Sequence, residues 1–262
     1  MNPHNLFACF AVALLCVMRA PLYAQSPAEL TTAECFSNSA GEKLLYRLYR
    51  PTGVAADRKL PLVLFLHGAG ERGTNNVSQL VHGIASLIRY GQQANDPAIL
   101  LIPQCPAGKR WVEVPWDAPS HAMPAEPSYP MRLALELVRT TMASLPVDPT
   151  RVYVTGISMG GYGTWDAIQR EPKLFAAALP ICGGGDTAQA PAIKCVPIWT
   201  FHGDKDGAVP VNRSRDMVNA LKAYGGNIQY REYPGAGHNV WTRTYDDNAV
   251  LSWFFAQRLN GA

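Results

Sequence analysis

The pentapeptide Gly156-Ile157-Ser158-Met159-Gly160 constrains this chain more than any other stretch, because it directly follows the run Arg151-Val152-Tyr153-Val154-Thr155. A strand that ends in Gly-x-Ser-x-Gly and opens into a helix turns sharply at the serine. The flanking glycines leave room for backbone where a side chain would not fit. Such a turn lifts the hydroxyl clear of a sheet, where a carbonyl carbon can reach it. The chemistry to expect is therefore attack by an activated serine, with an acyl-enzyme as intermediate.

The rest of the chain predicts a scaffold to match. Leu44–Tyr49 alternates as an edge strand does. Leu62–Leu66 is a continuous apolar run, as a strand covered on both faces requires. Ile99–Ile102, Val152–Thr155, Phe175–Leu179, Ile198–Phe201 and Ile228–Tyr233 read as further strands. Helical periodicity appears over Val77–Tyr90, Tyr129–Leu145, Gly161–Arg170, Arg213–Tyr224 and Ala249–Leu259. Strands alternating with helices predict an α/β fold, with a mostly parallel central sheet and helices on both faces. Ligands of such sheets bind at the carboxyl ends of the strands.

Composition and the N-terminus bound the setting. Leu6–Met18 is almost wholly apolar and of signal-peptide length, and Ala24-Gln25 offers a cleavage point. Residues 1–24 are thus predicted to be a signal peptide, with an uncleaved tether as the alternative, and the protein to be secreted or periplasmic. Residues 25–262 then form a single catalytic domain, undivided by linker or repeat. The net charge of +3 falls to +2 without Arg19, and the basic residues are scattered. Nothing here suggests nucleic acid or a stable membrane association after cleavage. A monomer or homodimer is expected. Cys35, Cys105, Cys182 and Cys195 remain in the mature chain, and an even count in a secreted protein permits disulfides. Cys182 with Cys195 closes a short loop, leaving Cys35 with Cys105. No Cys-x-x-Cys or close Cys/His pair suggests a metal, and no cofactor motif appears.

A serine hydroxyl needs a base and an acid behind it. His238 lies in the loop Pro234-Gly235-Ala236-Gly237-His238-Asn239, after the last strand, and is the predicted base. His202-Gly203-Asp204-Lys205-Asp206-Gly207 follows the sixth strand and offers two carboxylates, which chemistry alone hardly separates. The negative oxygen of a tetrahedral intermediate needs fixed donors. The N–H of Met159, at the start of the helix after the turn, is one. The other is expected from His67-Gly68-Ala69-Gly70-Glu71-Arg72-Gly73, with Ala69 favoured and Gly70 next. His67 is read as orienting that loop. Glu71 and Arg72 are expected to pair at the rim or to face water. The stretch from Pro103 to Pro127 is poor in regular structure. Its Trp116, together with Trp241, is a candidate wall for substrate, whereas Trp111 reads as structural.

Taken together, LPLVLFLHGAGERG (60–73), RVYVTGISMGGYGTWD (151–166), WTFHGDKDGAVPV (199–211) and YPGAGHNVW (233–241) resemble the α/β-hydrolase superfamily. The similarity is to its compact secreted carboxylesterase and peptidase branch, near the phospholipase/carboxylesterase, dienelactone hydrolase and feruloyl esterase groups. The resemblance implies the triad Ser158, Asp206 and His238, since the family's Gly-x-x-Asp-x-x-Val pattern falls on Gly203, Asp206 and Val209. It also implies oxyanion donors at Met159 and Ala69. Lipases of this fold insert an apolar lid after the strand that follows the elbow. Here Gly183–Pro197 is too short for a large one. The implied activity is a serine carboxylesterase for short-acyl or aryl esters, including feruloyl or acetyl esters of plant polysaccharide. A peptidase, a polyhydroxyalkanoate-type depolymerase and a binding protein that has lost catalysis are the competing readings.

Overall fold

The computed structural model describes residues 25–55 and 57–259. The predicted signal segment, with Cys9 and Cys16, lies outside them. Eight strands form one sheet: β1 Thr32–Ser37, β2 Lys43–Tyr49, β3 Leu60–Leu66, β4 Ile99–Pro103, β5 Val147–Ile157, β6 Ala177–Ile181, β7 Ile198–Gly203 and β8 Ile228–Tyr233. The helices are α1 Pro27–Leu30, α2 Ile84–Gln93, α3 Tyr129–Ser144, α4 Met159–Arg170, α5 Ala190–Ile193, α6 Asn212–Ala223, α7 Trp241–Tyr245 and α8 Asn248–Ala256.

The strand order is β1-β2-β4-β3-β5-β6-β7-β8. β1, β2 and β4 pair antiparallel, and every pair from β4 to β8 is parallel. Parallel central strands are covered on both faces, which is why β3, β4 and β6 are buried at every position. Successive side chains along β3 go to opposite faces. Leu62, Leu64 and Leu66 pack with α3, α4 and α6 through Leu133, Trp165 and Met217. Val63 and Phe65 pack with α2 and α8 through Leu87 and Phe254. The fold predicted from the sequence is the fold observed.

Two elements depart from their sequence reading. The sheet's edge is β1, not Leu44–Tyr49, which β1 covers. The helix expected over Val77–Tyr90 is broken: a short 3-10 turn spans Ser78–Leu80 and α2 begins only at Ile84. Gly83, at φ +74°, turns the chain between them. Between β6 and β7 the chain carries only a 3-10 turn and the four-residue α5, so this segment forms no large lid, as expected.

The expected disulfides are absent, and all four described cysteines are free. Topology gives the reason. Cys182 follows the carboxyl end of β6, whereas Cys195 precedes the amino end of its parallel neighbour β7. Ala178 is level with Ile198, so the two sulfurs are separated by most of a strand, on the order of 20 Å at the usual rise. Cys35 and Cys105 flank β2 on opposite sides, Cys35 opposite Leu45 and Gln104 bonded to Leu45. Two strand spacings are about 10 Å, beyond the reach of a disulfide.

Candidate active site

The site is assembled from the carboxyl ends of β3, β5, β7 and β8. β5 ends at Ile157, and Ser158 follows at φ +54°, ψ −116°, a strained conformation for a residue with a Cβ. The Ser158 N–H donates to Ile181 O at 2.9 Å, which anchors the turn to β6. A Cβ at Gly160 would run into the Leu66 carbonyl oxygen, and one at Gly156 into the Gly160 carbonyl. Glycine at both positions is what lets α4 leave the sheet so abruptly.

The loop after β8 brings His238 to the serine. His238 Nε2 lies 2.9 Å from Ser158 Oγ, and His238 Nδ1 lies 2.6 Å from Asp206 Oδ2. With Nδ1–H given to the carboxylate, Nε2 is left as the acceptor facing the hydroxyl. Asp206, not Asp204, occupies the place behind the imidazole. Its side chain is fully buried. Burial alone opposes its charge. Hydrogen bonds from His202, His238 and the N–H groups of Val209 and Ala208 outweigh that and hold the carboxyl far below the usual carboxylate range.

His202 is a partner that the sequence reading did not give to Asp206. Its Nε2 is 3.1 Å from Asp206 Oδ2 and 3.0 Å from Val209 O. Its Nδ1 is 2.8 Å from Ser214 Oγ, which in turn donates to Gly183 O. The ring is fully buried and cannot reach solvent. Cys182 Sγ donates to the His238 carbonyl from below, at 3.2 Å. Among the described residues Cys182, His202 and Asp206 form a grouping with metal-ligand composition. All three are already engaged in these hydrogen bonds.

The oxyanion side is formed by two helical starts. Met159 is the first residue of α4, and Ala69 opens the 3-10 turn Ala69–Glu71 after β3. First-turn N–H groups have no acceptor within their own helix, so both are free to aim at a ligand. His67 holds this loop, as expected. Nδ1–H bonds to Gly68 O at 2.6 Å, and Nε2 accepts from the Cys105 N–H at 2.9 Å. Burial lowers its pKa to about 4, so the ring is neutral and this tautomer is fixed. Trp111 is wholly buried, and its indole N–H bonds to His67 O at 3.0 Å, a structural role.

A cavity of about 310 Å³ opens at Ser158 and is lined by Ala69, Glu71, His82, Trp116 and Trp241. Both tryptophans singled out in the sequence are therefore at its wall. Trp241 stands edge-on to His238, with ring centroids 5.1 Å apart. Trp116 is backed by the guanidinium of Arg110, 4.5 Å from its ring, and by that of Arg72 at 5.7 Å. Glu71 does not pair with Arg72 at the rim. Arg72 turns back to Ala69 O, and Glu71 faces the cavity. His82 reaches the wall because the helix predicted to hold it begins only at Ile84, after the turn at Gly83. The sequence reading places His82 within that helix, and its position beside a glycine is the one signal that could have taken it out.

Similarity to esterases makes this chain a hydrolase acting on carboxylic ester bonds, and the fold is that of the α/β-hydrolase superfamily. Within it, the profile of the dienelactone hydrolase family matches residues 131–251, from α3 to α8. A thermostable esterase of known structure is 40% identical, superposes with a TM-score of 0.82 and covers 87% of this chain. This chain spans 63% of that esterase. Carboxylesterase SOBER1 of Arabidopsis thaliana is 24% identical over 222 residues, which are 76% of this chain and 91% of that protein. A ferulic acid esterase shares the fold at a TM-score of 0.64 and 17% identity, covering 86% of this chain and 97% of its own.

Proposed function

We propose that the protein is a secreted serine carboxylesterase that hydrolyses short-acyl or aryl esters through an acyl-enzyme. The observation that carries this reading is the unbroken line from Asp206 through His238 to Ser158 Oγ, at 2.6 and 2.9 Å, opening on an aromatic-walled cavity. In the first half-reaction Ser158 Oγ attacks the ester carbonyl carbon, and His238 Nε2 takes its proton. The N–H groups of Met159 and Ala69 hold the oxyanion. The imidazolium, steadied by Asp206, returns the proton to the leaving alcohol. Water then attacks the acyl-enzyme by the same route and frees Ser158. His238 alone carries the proton in both halves of the cycle.

Feruloyl or acetyl esters of plant polysaccharide are the favoured natural substrates. Flat walls at Trp116 and Trp241 suit a planar aryl or a sugar ring, and the absence of a large lid disfavours long-chain fat. The secreted setting rests on the apolar run Leu6–Met18, and N-terminal sequencing of exported protein tests it. The activity is tested by initial rates on p-nitrophenyl acetate, butyrate and octanoate, methyl ferulate, acetylated xylan and an aminoacyl p-nitroanilide. Fast turnover of methyl ferulate or acetylated xylan supports the cell-wall reading. Preference for the anilide above all overturns the esterase reading in favour of a peptidase.

A further inference from the structure

The cavity holds polar atoms that the hydrolytic cycle does not use. Of the eight buried side-chain polar atoms without a protein partner among the described residues, three belong to its wall: Glu71 Oε2, Trp116 Nε1 and Trp241 Nε1. These three atoms have almost no accessible surface and lie behind the wall, whereas the other carboxylate oxygen, Glu71 Oε1, belongs to a partly exposed side chain at the cavity and is the atom a ligand can reach. Neither neighbouring histidine satisfies Glu71. His82 Nε2 is 3.7 Å from Oε1, outside hydrogen-bond range, and His67 Nδ1, 3.9 Å from Oε2, already gives its proton to Gly68 O.

Glu71 is also held in place. Its carbonyl accepts from Gln104 Nε2 at 3.0 Å, and its N–H donates to Gly68 O. Its Oε2 would stand 3.0 Å from a Cβ on Gly68. The carboxylate therefore belongs to the same short turn that presents the Ala69 N–H. A carboxylate there opposes charge on a developing oxyanion, a cost that a recognition role offsets. Behind the wall, the guanidinium groups of Arg72 and Arg110 sit on Trp116 and disfavour a cationic ligand. What fits is a neutral ring bearing a hydroxyl. The hydroxyl proton goes to Glu71 Oε1.

We propose that Glu71 is the specificity residue of this pocket, accepting a hydrogen bond from a hydroxyl on the ring-bearing part of the ester. The inference rests on the serine-esterase reading above and narrows its substrates to hydroxylated rings, sugar or phenol.

The test uses matched ester pairs that differ only in ring hydroxyls: methyl 4-hydroxycinnamate against methyl cinnamate, and 6-O-acetylglucose against (tetrahydropyran-2-yl)methyl acetate. The quantity read is the ratio of kcat/KM within each pair, for the wild type, Glu71→Met and Glu71→Gln. A ratio cancels differences in the amount of folded, active protein. The wild type should prefer the hydroxylated member of at least one pair by about ten- to a hundredfold, the range for a hydrogen bond to a charged group. Which pair responds separates phenol from sugar. Glu71→Met should bring that ratio to near one, with Glu71→Gln between. A wild-type ratio near one in both pairs overturns the proposal, as does an undiminished ratio in Glu71→Met. So does a preference for an aminocyclohexylmethyl ester over the hydroxylated one. Turnover of the bare members by the wild type reports separately on the esterase reading, which stands or falls on that alone.

Discussion

Ser158 is held at a positive φ that only close packing can sustain, and the same strain aims its hydroxyl at His238 Nε2. Ser158→Ala should lower kcat by about 10⁴-fold or more, with circular dichroism and melting temperature close to wild type. Full activity in that variant would remove Ser158 from the mechanism. Asp206→Asn should cost about 10³- to 10⁴-fold, because the amide no longer fixes the imidazole tautomer. Asp204→Asn should cost less than about tenfold; the reverse order would move the acid. Much of this site is legible in the amino-acid sequence alone. Gly-x-Ser-x-Gly, the His238 loop and the Gly203/Asp206/Val209 pattern each sit where local sequence dictates a turn. What sequence does not supply are contacts between distant segments. His202 touches Asp206 only because the turn from 203 to 209 folds back over the strand end. Glu71 faces inward only because Arg72 turns back to Ala69 and Trp116.

At the scale of elements, the site depends on how closely α4 approaches β3. Gly160 lies against the Leu66 carbonyl with no space for a methyl group. Gly160→Ala should therefore cost at least about 3 kcal/mol in urea unfolding and lower activity as well. A neutral result would mean that the elbow is looser than its packing. The loop after β3 carries a pH dependence through His67. The folded chain holds His67 neutral down to about pH 4, whereas the unfolded chain protonates it below its ordinary 6.5. Stability should fall as pH drops through that window, by a total of roughly 3 kcal/mol from this group. Urea melts at pH 7 and pH 4.5 should show a larger loss for the wild type than for His67→Gln; equal losses would place the sensitivity elsewhere. Elements with strong apolar runs, such as β3 and β4, are plain in the sequence because burial on both faces demands those residues. β1 is not, since TAECFS is largely exposed and has no continuous apolar signal. Nor is the break at Gly83, because Leu80, Ile84, Leu87 and Ile88 keep a helical spacing across it.

For the whole molecule, the sheet order decides what composition could not. Four cysteines in a mature chain suggest two bridges, but the parallel neighbours β6 and β7 carry Cys182 and Cys195 at opposite strand ends. In protein beginning at residue 25, all four thiols should be free. Native alkylation read by mass spectrometry should label the exposed Cys35 and Cys195. The buried Cys105 and Cys182, whose thiols burial pushes up in pKa, should react only after unfolding. Loss of label on reductant-free protein would restore a bridge. The same topology gathers the ends of β3, β5, β7 and β8 on one edge, so segments as far apart in the chain as Ala69 and His238 converge on one hydroxyl. The class of fold follows from the alternation of strands and helices. The crossover that places β4 outside β3 leaves no mark in any single segment.

The central claim is that Ser158 is the nucleophile of this assembled site. Treating native protein with diethyl p-nitrophenyl phosphate, and mapping the adduct by peptide mass spectrometry, tests it most directly. One diethylphosphoryl group is expected on Ser158, with release of one equivalent of p-nitrophenol and loss of esterase activity in step. No adduct, or an adduct on another residue with activity lost, would contradict it.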